Sequence, residues 1–297
     1  MKIDLHIHST CSDGDFSVEE VLEEAEKRNI GLISITDHDS IDGQEKAITL
    51  STEYGIEYLT GVELNVTFQY NEGVVNDRSP QETSSRTVSL DFLGYQYDIN
   101  NRALKEKLTL MGEHRETRAR QILDKINIEF DREQIERFTE EDIRKIEKTV
   151  DGVFGRPHIA DYLVKKGIVS DRQEAFDKYL VKCDVPKYPL LLPEASKLIR
   201  NAGGRLVLAH PNDPNATSLV AITNDLDEQA GIIEEFMLEY IDGIECWHSR
   251  HDTRTTGYYI EFARKHGLLV TGGSDCHQKP VLMGTLEIPD YVARQFR

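Results

Sequence analysis

Residues 4–14 read Asp4-Leu5-His6-Ile7-His8-Ser9-Thr10-Cys11-Ser12-Asp13-Gly14, and the way this stretch alternates decides the fold. Along a strand, Leu5 and Ile7 fall on one face while Asp4, His6 and His8 share the other, with His8 at the C-terminal end. Two imidazoles on one face can chelate a single ion, and Asp13 follows in a glycine-containing loop. Ser17 then reads as a helix N-cap with Glu20 three residues on. Val18, Val21, Leu22 and Ala25 form an apolar stripe, and Gly31 lies beyond the helix end. A strand, a ligand-bearing loop and a capped helix thus fill the first thirty residues.

Working outward, the same unit recurs. Candidate strands are Lys2–His8, Gly31–Thr36, Glu57–Asn65, Arg86–Tyr95, Gly204–His210, Gly243–His248 and Leu268–Gly272, seven in all, with helical patterns between them. That is the signature of an α/β fold built on a parallel sheet or barrel. The rhythm breaks over residues 100–185, where the composition turns charged and helical with no convincing strand, so this stretch reads as a helical subdomain inserted between barrel segments 1–99 and 186–297. The polar segment Thr67–Ser85 reads as a second, smaller insertion, an exposed loop or hairpin near the rim.

The chain has 297 residues, with 35 Lys plus Arg against 53 Asp plus Glu, a formal charge of −18. The insert holds 18 basic and 18 acidic residues, so the barrel segments carry the whole imbalance. An acidic barrel disfavours a sequence-independent grip on duplex nucleic acid, which depends on many Lys and Arg contacts to phosphates. No apolar run of about 18 residues suggests a membrane span, and Met1 leads directly into a strand without the pattern of a secretory leader. Cys11, Cys183, Cys246 and Cys276 are scattered singly, which fits a reducing, cytoplasmic location.

Further potential ligands close the other strands. The second ends Thr36-Asp37-His38-Asp39, the third supplies Glu63, the fifth ends Ala209-His210-Pro211, and the last leads into Gly273-Ser274-Asp275-Cys276-His277. In (β/α) barrels the C-terminal strand ends gather catalytic groups from distant parts of the chain. His6, His8, His38, His210 and His277 with Asp13, Glu63 and Asp275 are eight N and O ligands. That is too many for one tetrahedral zinc and suits two or three ions sharing bridging carboxylates.

Five stretches, DLHIHSTCSDG (4–14), ITDHDSIDG (35–43), GVEL (61–64), LAHP (208–211) and GGSDCH (272–277), together resemble the PHP (polymerase and histidinol phosphatase) family of metal-dependent phosphoesterases. GRPHIA (155–160) further resembles the subgroup containing nucleoside 3',5'-bisphosphate phosphatases and a 5'-to-3' exoribonuclease on short RNA. The resemblance implies a distorted seven-stranded (β/α) barrel with a trinuclear site, usually of manganese, iron, zinc or magnesium. It implies that His6, His8, Glu63 and Asp275 hold one ion and that Asp13, His38 and His277 hold a second. Glu63 would bridge to a third ion shared with His210. Where the family usually places a histidine, this chain has Asp91, a harder ligand that would favour manganese, magnesium or iron over zinc.

Arg115 and Arg118, one helical turn apart, and Arg156 resemble the subgroup's substrate-binding arginines, and His158 adds a donor beside Arg156. The expected chemistry is attack on phosphorus by a hydroxide held between two ions, with Asp13, His38, Glu63 and Asp275 central to catalysis. His248, or His251, is the candidate for protonating the leaving group. The expected substrate is a small phosphorylated nucleotide, with nucleoside 3',5'-bisphosphates favoured and a product such as adenosine 5'-monophosphate also able to bind. Rival expectations are 5'-to-3' trimming of short single-stranded RNA, hydrolysis of a histidinol-phosphate type of ester, amidohydrolase-like C–N chemistry, and a non-catalytic metal-binding role.

Overall fold

The computed structural model describes residues 1–71, 85–147, 154–279 and 281–297, and in it the βα rhythm becomes eight strands in two sheets. The first sheet is parallel, in the order β1 (Lys2–Ile7), β2 (Ile30–Ile35), β3 (Glu57–Tyr58). The second runs β4 (Gly61–Asn71), β5 (Ser85–Tyr95), β6 (Arg205–Leu208), β7 (Gly243–His248), β8 (Leu269–Gly273). In it β5 lies antiparallel to both neighbours, while β6, β7 and β8 are parallel. The α/β class therefore holds, but the strands do not form the single closed, seven-stranded sheet that was expected. The expected strand Glu57–Asn65 divides after Tyr58, and Gly61 opens the second sheet. Gly61 passes so close to β2 that a Cβ there would lie 2.1 Å from the Ser34 hydroxyl.

The two sheets meet at the rim where the strands end. On one seam Asp275 N–H donates to the His6 carbonyl at 2.8 Å and His8 N–H to the Cys276 carbonyl at 3.1 Å. On the other Asp39 N–H donates to the Glu63 carbonyl at 2.8 Å and Glu63 N–H to that of Asp37 at 3.2 Å. These bonds draw the ligand-bearing ends of β1, β2, β4 and β8 together.

Helix α1 (Val18–Lys27) starts with the expected capping box, Glu20 N–H donating to Ser17 Oγ and Ser17 N–H to Glu20 Oε2. It packs with α2 (Gln44–Tyr54) on β1 and β2 around Ile7, Leu22, Ile33 and Ile35. Thr67–Asn71 and Ser85 extend the β4–β5 hairpin instead of forming a loop, because Phe68 and Tyr70 alternate into the core. The rest of that polar segment lies outside the described residues.

No strand appears among the described residues of the insert. It consists of α3 (Arg102–Glu133), α4 (Glu140–Glu147), α5 (Arg156–Lys165) and α6 (Arg172–Ala175), the last running into a π-helical turn at Phe176–Leu180. These elements share an apolar cluster of their own that includes Ile126, Phe130, Leu163 and Tyr179. The long α3 joins both cores: Leu104, Leu108 and Met111 pack on the barrel side, while Ile122, Leu123 and Ile126 pack within the insert. Each such buried side chain contributes roughly 1.5–3 kcal/mol over exposure, so α3 anchors the insert over the rim. Helices α7 (Leu192–Asn201), α8 (Leu226–Phe236) and α9 (Thr253–His266) alternate with β6 to β8, and the short α10 (Tyr291–Arg294) follows. No helix among the described residues is long and apolar enough to cross a membrane.

Candidate metal centre and substrate cavity

β1 places His6 and His8 side by side, their Nε2 atoms 3.1 Å apart and both rings buried. The close passage of β8 makes this packing depend on glycine, since a Cβ at Gly273 would lie 2.3 Å from His6 Cβ. Around the pair, Glu63 Oε2 lies 3.3 Å from His6 Nε2 and 3.1 Å from His8 Nε2, and Asp275 Oδ1 lies 3.4 and 3.3 Å from the same atoms. Ligand atoms about 2.1 Å from a common ion stand about 3.0–3.4 Å from one another, so these four fit one cation.

A second group adjoins the first: Asp13 Oδ1 lies 3.4 Å from His277 Nε2 and 3.8 Å from His8 Nδ1, and Asp13 Oδ2 lies 3.9 Å from His38 Nε2. A third comprises Glu63, Asp91 and His210, with His210 Nε2 2.9 Å from Glu63 Oε1. The structure thus brings all nine sequence-derived ligand candidates to one place, with His8 belonging to both the first and the second group. Glu63 Oε2 gives a test of fit. It is buried, has no hydrogen bond, and yet faces imidazole nitrogens of His38, His8 and His6 at 3.0, 3.1 and 3.3 Å. A buried carboxylate oxygen in that setting suits a shared cation.

The protonation pattern agrees. Burial alone would raise the carboxyl pKa of Glu63, but the rings of His38 and His6 outweigh it and hold Glu63 well below the usual range. Asp13, beside His38 and His277, and Asp275, beside His277 and His6, are lowered well below normal in the same way. Burial disfavours charge on His277, yet Asp13 and Asp275 push its pKa up to about 10. Asp39, His210 and Asp275 also take positive φ values of 50°, 23° and 53°. Non-glycine residues adopt this region at an energetic cost, and such strain concentrates at working sites.

Above these groups lies a cavity of about 450 Å³. Its floor is carboxylate and imidazole, and its walls include Arg115, Arg118, Arg156, Arg172 and Arg250. Arg115 pairs with Asp39 at 2.6 Å, Arg118 is almost buried against Asp184 and the Val185 carbonyl, and Arg156 reaches Asp184 at 3.3 Å. All three substrate arginines suggested by the sequence therefore face the cavity. His158 does not line it. His158 Nδ1 accepts the Gly155 N–H at 3.1 Å at the start of α5, and its ring lines a side cleft with Asp13 and Arg172. His248 is buried and does not line the cavity; its Nδ1 accepts the Arg250 N–H at 3.3 Å, and its Nε2 lies 3.5 Å from Asp275 Oδ2. His251 bonds the Cys246 carbonyl at 3.0 Å, and burial lowers its pKa to about 4.

Several residues here carry no signal that the sequence reading weighed. Glu245, fully buried on β7, lies 3.1 and 3.3 Å from His6 Nδ1 and accepts the His210 N–H at 2.8 Å. Asp37 accepts from Ser9 N–H, the Ser9 hydroxyl and the Ser12 hydroxyl, each at 2.7 Å, and so shapes the loop that carries Asp13. Asp213 forms a further group with His248 and Asp275. The Asn65 side chain donates to Asp91 Oδ1, tying down one of the two oxygens of that carboxylate.

A family model described as the PHP domain matches residues 4–180, from β1 through the insert, and stops before His210 and Asp275. The chain is 30% identical over 281 residues to a 3',5'-nucleoside bisphosphate phosphatase of Chromobacterium violaceum, spanning 93% of this chain and 87% of that protein. It is also 30% identical over 223 residues to a 5'-3' exoribonuclease of Haemophilus influenzae, spanning 73% and 71% of the two chains. A solved structure from Bifidobacterium adolescentis, provisionally assigned as a metal-dependent phosphoesterase, shares 28% identity with a TM-score of 0.77 and covers 99% of this chain and 94% of its own.

Proposed function

The chain belongs to the PHP domain family, and on that premise we propose that it is a metal-dependent phosphoesterase that removes phosphate from a small nucleotide, with nucleoside 3',5'-bisphosphates favoured. The observation that carries this reading is the cavity, in which three adjoining ligand groups face a wall of arginines. Its volume of about 450 Å³ suits a mononucleotide-sized ligand. The two sheets, in residues 1–99 and 186–297, would make up the metal-binding unit, with residues 100–185 as an inserted substrate-binding subdomain.

His6, His8, Glu63 and Asp275 would hold one divalent ion, Asp13, His38 and His277 a second, and Glu63, Asp91 and His210 a third. Manganese is the first choice, because oxygen ligands are as numerous as imidazoles, with iron, magnesium and zinc as alternatives. When bound, the ions supply Lewis acidity toward phosphoryl oxygens and a nucleophile at neutral pH. The chain's own residues orient and stabilise the ester. Arg115, Arg118 and Arg156 hold phosphate oxygens and offset charge that spreads in the transition state. His248, the candidate acid, would have to carry a second proton: as imidazolium it could give its Nε2 proton to a leaving oxygen and return to the neutral ring. None of the four cysteines forms a disulfide, which suits a reducing compartment, and the cytoplasm is the proposed location.

Likeness to the Haemophilus enzyme supports a second reading, 5'-to-3' trimming of short RNA. A phosphate-release screen with manganese separates the two, run over nucleoside 3',5'-bisphosphates, nucleoside monophosphates, sugar phosphates and 5'-phosphorylated oligonucleotides. Release confined to bisphosphates supports the first reading, and mononucleotides freed from oligonucleotides replace it with the second. Turnover of sugar phosphates alone, or of nothing, removes both.

A further inference from the structure

One cation in the cavity wall has no part in the reading above. Lys187 lies in Asp184-Val185-Pro186-Lys187-Tyr188, the segment that returns from the insert to the barrel, and its half-buried side chain lines the main cavity. The five arginines around that cavity all have carboxylate partners: Asp39 for Arg115, Asp184 for Arg118 and Arg156, Asp161 for Arg172 and Asp213 for Arg250. Lys187 makes no hydrogen bond or ion pair among the described residues, and Lys279, the other lysine there, is exposed.

The backbone on both sides of Lys187 is nevertheless held firmly. Asp184 takes two guanidinium groups, and the Val185 carbonyl accepts from Arg118 Nε at 2.5 Å. Pro186 restricts its own φ, Lys107 donates to the Tyr188 hydroxyl at 3.2 Å, and the Tyr188 ring meets that of His114 edge-on at 5.7 Å. The chain thus holds the backbone at Lys187 while its ammonium has no partner among the described residues. Burial lowers the pKa of Lys187; the Asp91 carboxylate opposes this, the charges of Arg115 and Arg156 add to it, and Asp39 opposes it more weakly. A desolvated cation among other cations is unfavourable until an anion enters.

We propose that Lys187 is a substrate contact that sets specificity, gripping the phosphate that stays on the nucleotide after hydrolysis. The ligand's identity rests on the phosphoesterase reading; the existence of an anion site at Lys187 does not.

Adenosine 5'-monophosphate is the product expected after loss of a 3'-phosphate, and adenosine is the same molecule without the retained phosphate. Calorimetry on the manganese-loaded protein compares both ligands with wild type, Lys187→Met and Lys187→Arg. Wild type is expected to prefer the monophosphate by about tenfold or more, the effect of one charge-assisted contact. Lys187→Met should lose that preference while keeping its affinity for adenosine, and Lys187→Arg should largely restore it. Lys187→Gln gives the same reading if methionine lowers solubility. Equal monophosphate affinity in wild type and Lys187→Met overturns the inference. So does equal affinity of wild type for the two ligands, or release of phosphate from the monophosphate itself, since no uncleaved phosphate would then be held. If wild type leaves adenosine 3',5'-bisphosphate intact but Lys187→Met still loses monophosphate binding, the phosphoesterase reading falls and the Lys187 site stands.

Discussion

Replacing Glu245 by Gln should weaken metal binding without unfolding the protein. Glu245 is fully buried, and His6 outweighs the effect of burial to lower its carboxyl pKa, so it is ionised at neutral pH. Both oxygens lie near His6 Nδ1, and Oε2 also accepts the backbone N–H of His210, so one carboxylate orients the His6 ring and holds the main chain that carries His210. Gln keeps the shape but has a single acceptor oxygen, so either the His6 Nδ1 proton or the His210 N–H must face an amide NH₂. Losing one charge-assisted bond costs about 1.5–3 kcal/mol. Removing a carboxylate behind a metal-ligating histidine typically costs about 10–100-fold in metal affinity, or roughly 1.4–2.7 kcal/mol. The two estimates agree, and we expect manganese affinity to fall by about 10–100-fold with a smaller loss of kcat at saturating metal. Competition against a fluorescent chelator measures the affinity, and circular dichroism melting checks the fold. A folded Glu245→Gln protein with wild-type manganese affinity would refute the claim that Glu245 holds His6 and the His210 backbone in ligating position.

Asp91→His should keep the fold and shift preference toward zinc, because imidazole is softer than carboxylate; unchanged zinc-against-manganese competition would place Asp91 outside the metal centre. Arg156→Ala should lower kcat/KM on adenosine 3',5'-bisphosphate by about a hundredfold, with much less loss on an aryl phosphate. Equal losses on both substrates would mean that Arg156 serves the reacting phosphoryl group, or only its contacts with Asp184 and the Phe176 ring, and not a retained phosphate. In chelator-treated protein, burial opposes charge on His210 and His277, but Glu63 and Asp13 respectively outweigh it and push the pKa values to about 9 and about 10. Folded pKa values above the ordinary 6.5 mean stability present in full below that pH and lost as pH rises toward 9–10. The melting temperature of the stripped protein should therefore fall over this interval. Manganese affinity should rise over the same range, because the ligands must be deprotonated. A melting temperature that climbs with pH, or pH-independent metal binding, would contradict this assignment of protons.

Much of the site could be read directly from the chain, because the patterns that carry it are local. Alternation in Asp4-Leu5-His6-Ile7-His8 puts two imidazoles on one face wherever β1 is placed, and Ser17 with Glu20 caps α1 by contacts within one turn. The strand-end positions of His38, Glu63, His210 and Asp275 likewise follow from short apolar runs ending in polar residues. Tertiary structure alone decided the sheet order. Antiparallel β5 and the division of the strands between two sheets depend on pairings between segments more than a hundred residues apart, such as Leu93 with Val207, which no local period encodes. It also decided which charges are spent on one another. Arg115, Arg118 and Arg156 read alike as substrate-binding arginines in sequence, yet Asp39 and Asp184 pair with them, while an undistinguished Lys187 has no partner among the described residues. Glu245 reads as one carboxylate among 53 acidic residues and becomes the partner of His6 and His210 only when β7 packs between their strands. A side chain's type is a property of its position in the chain, but its desolvation and its partners are properties of the packed whole.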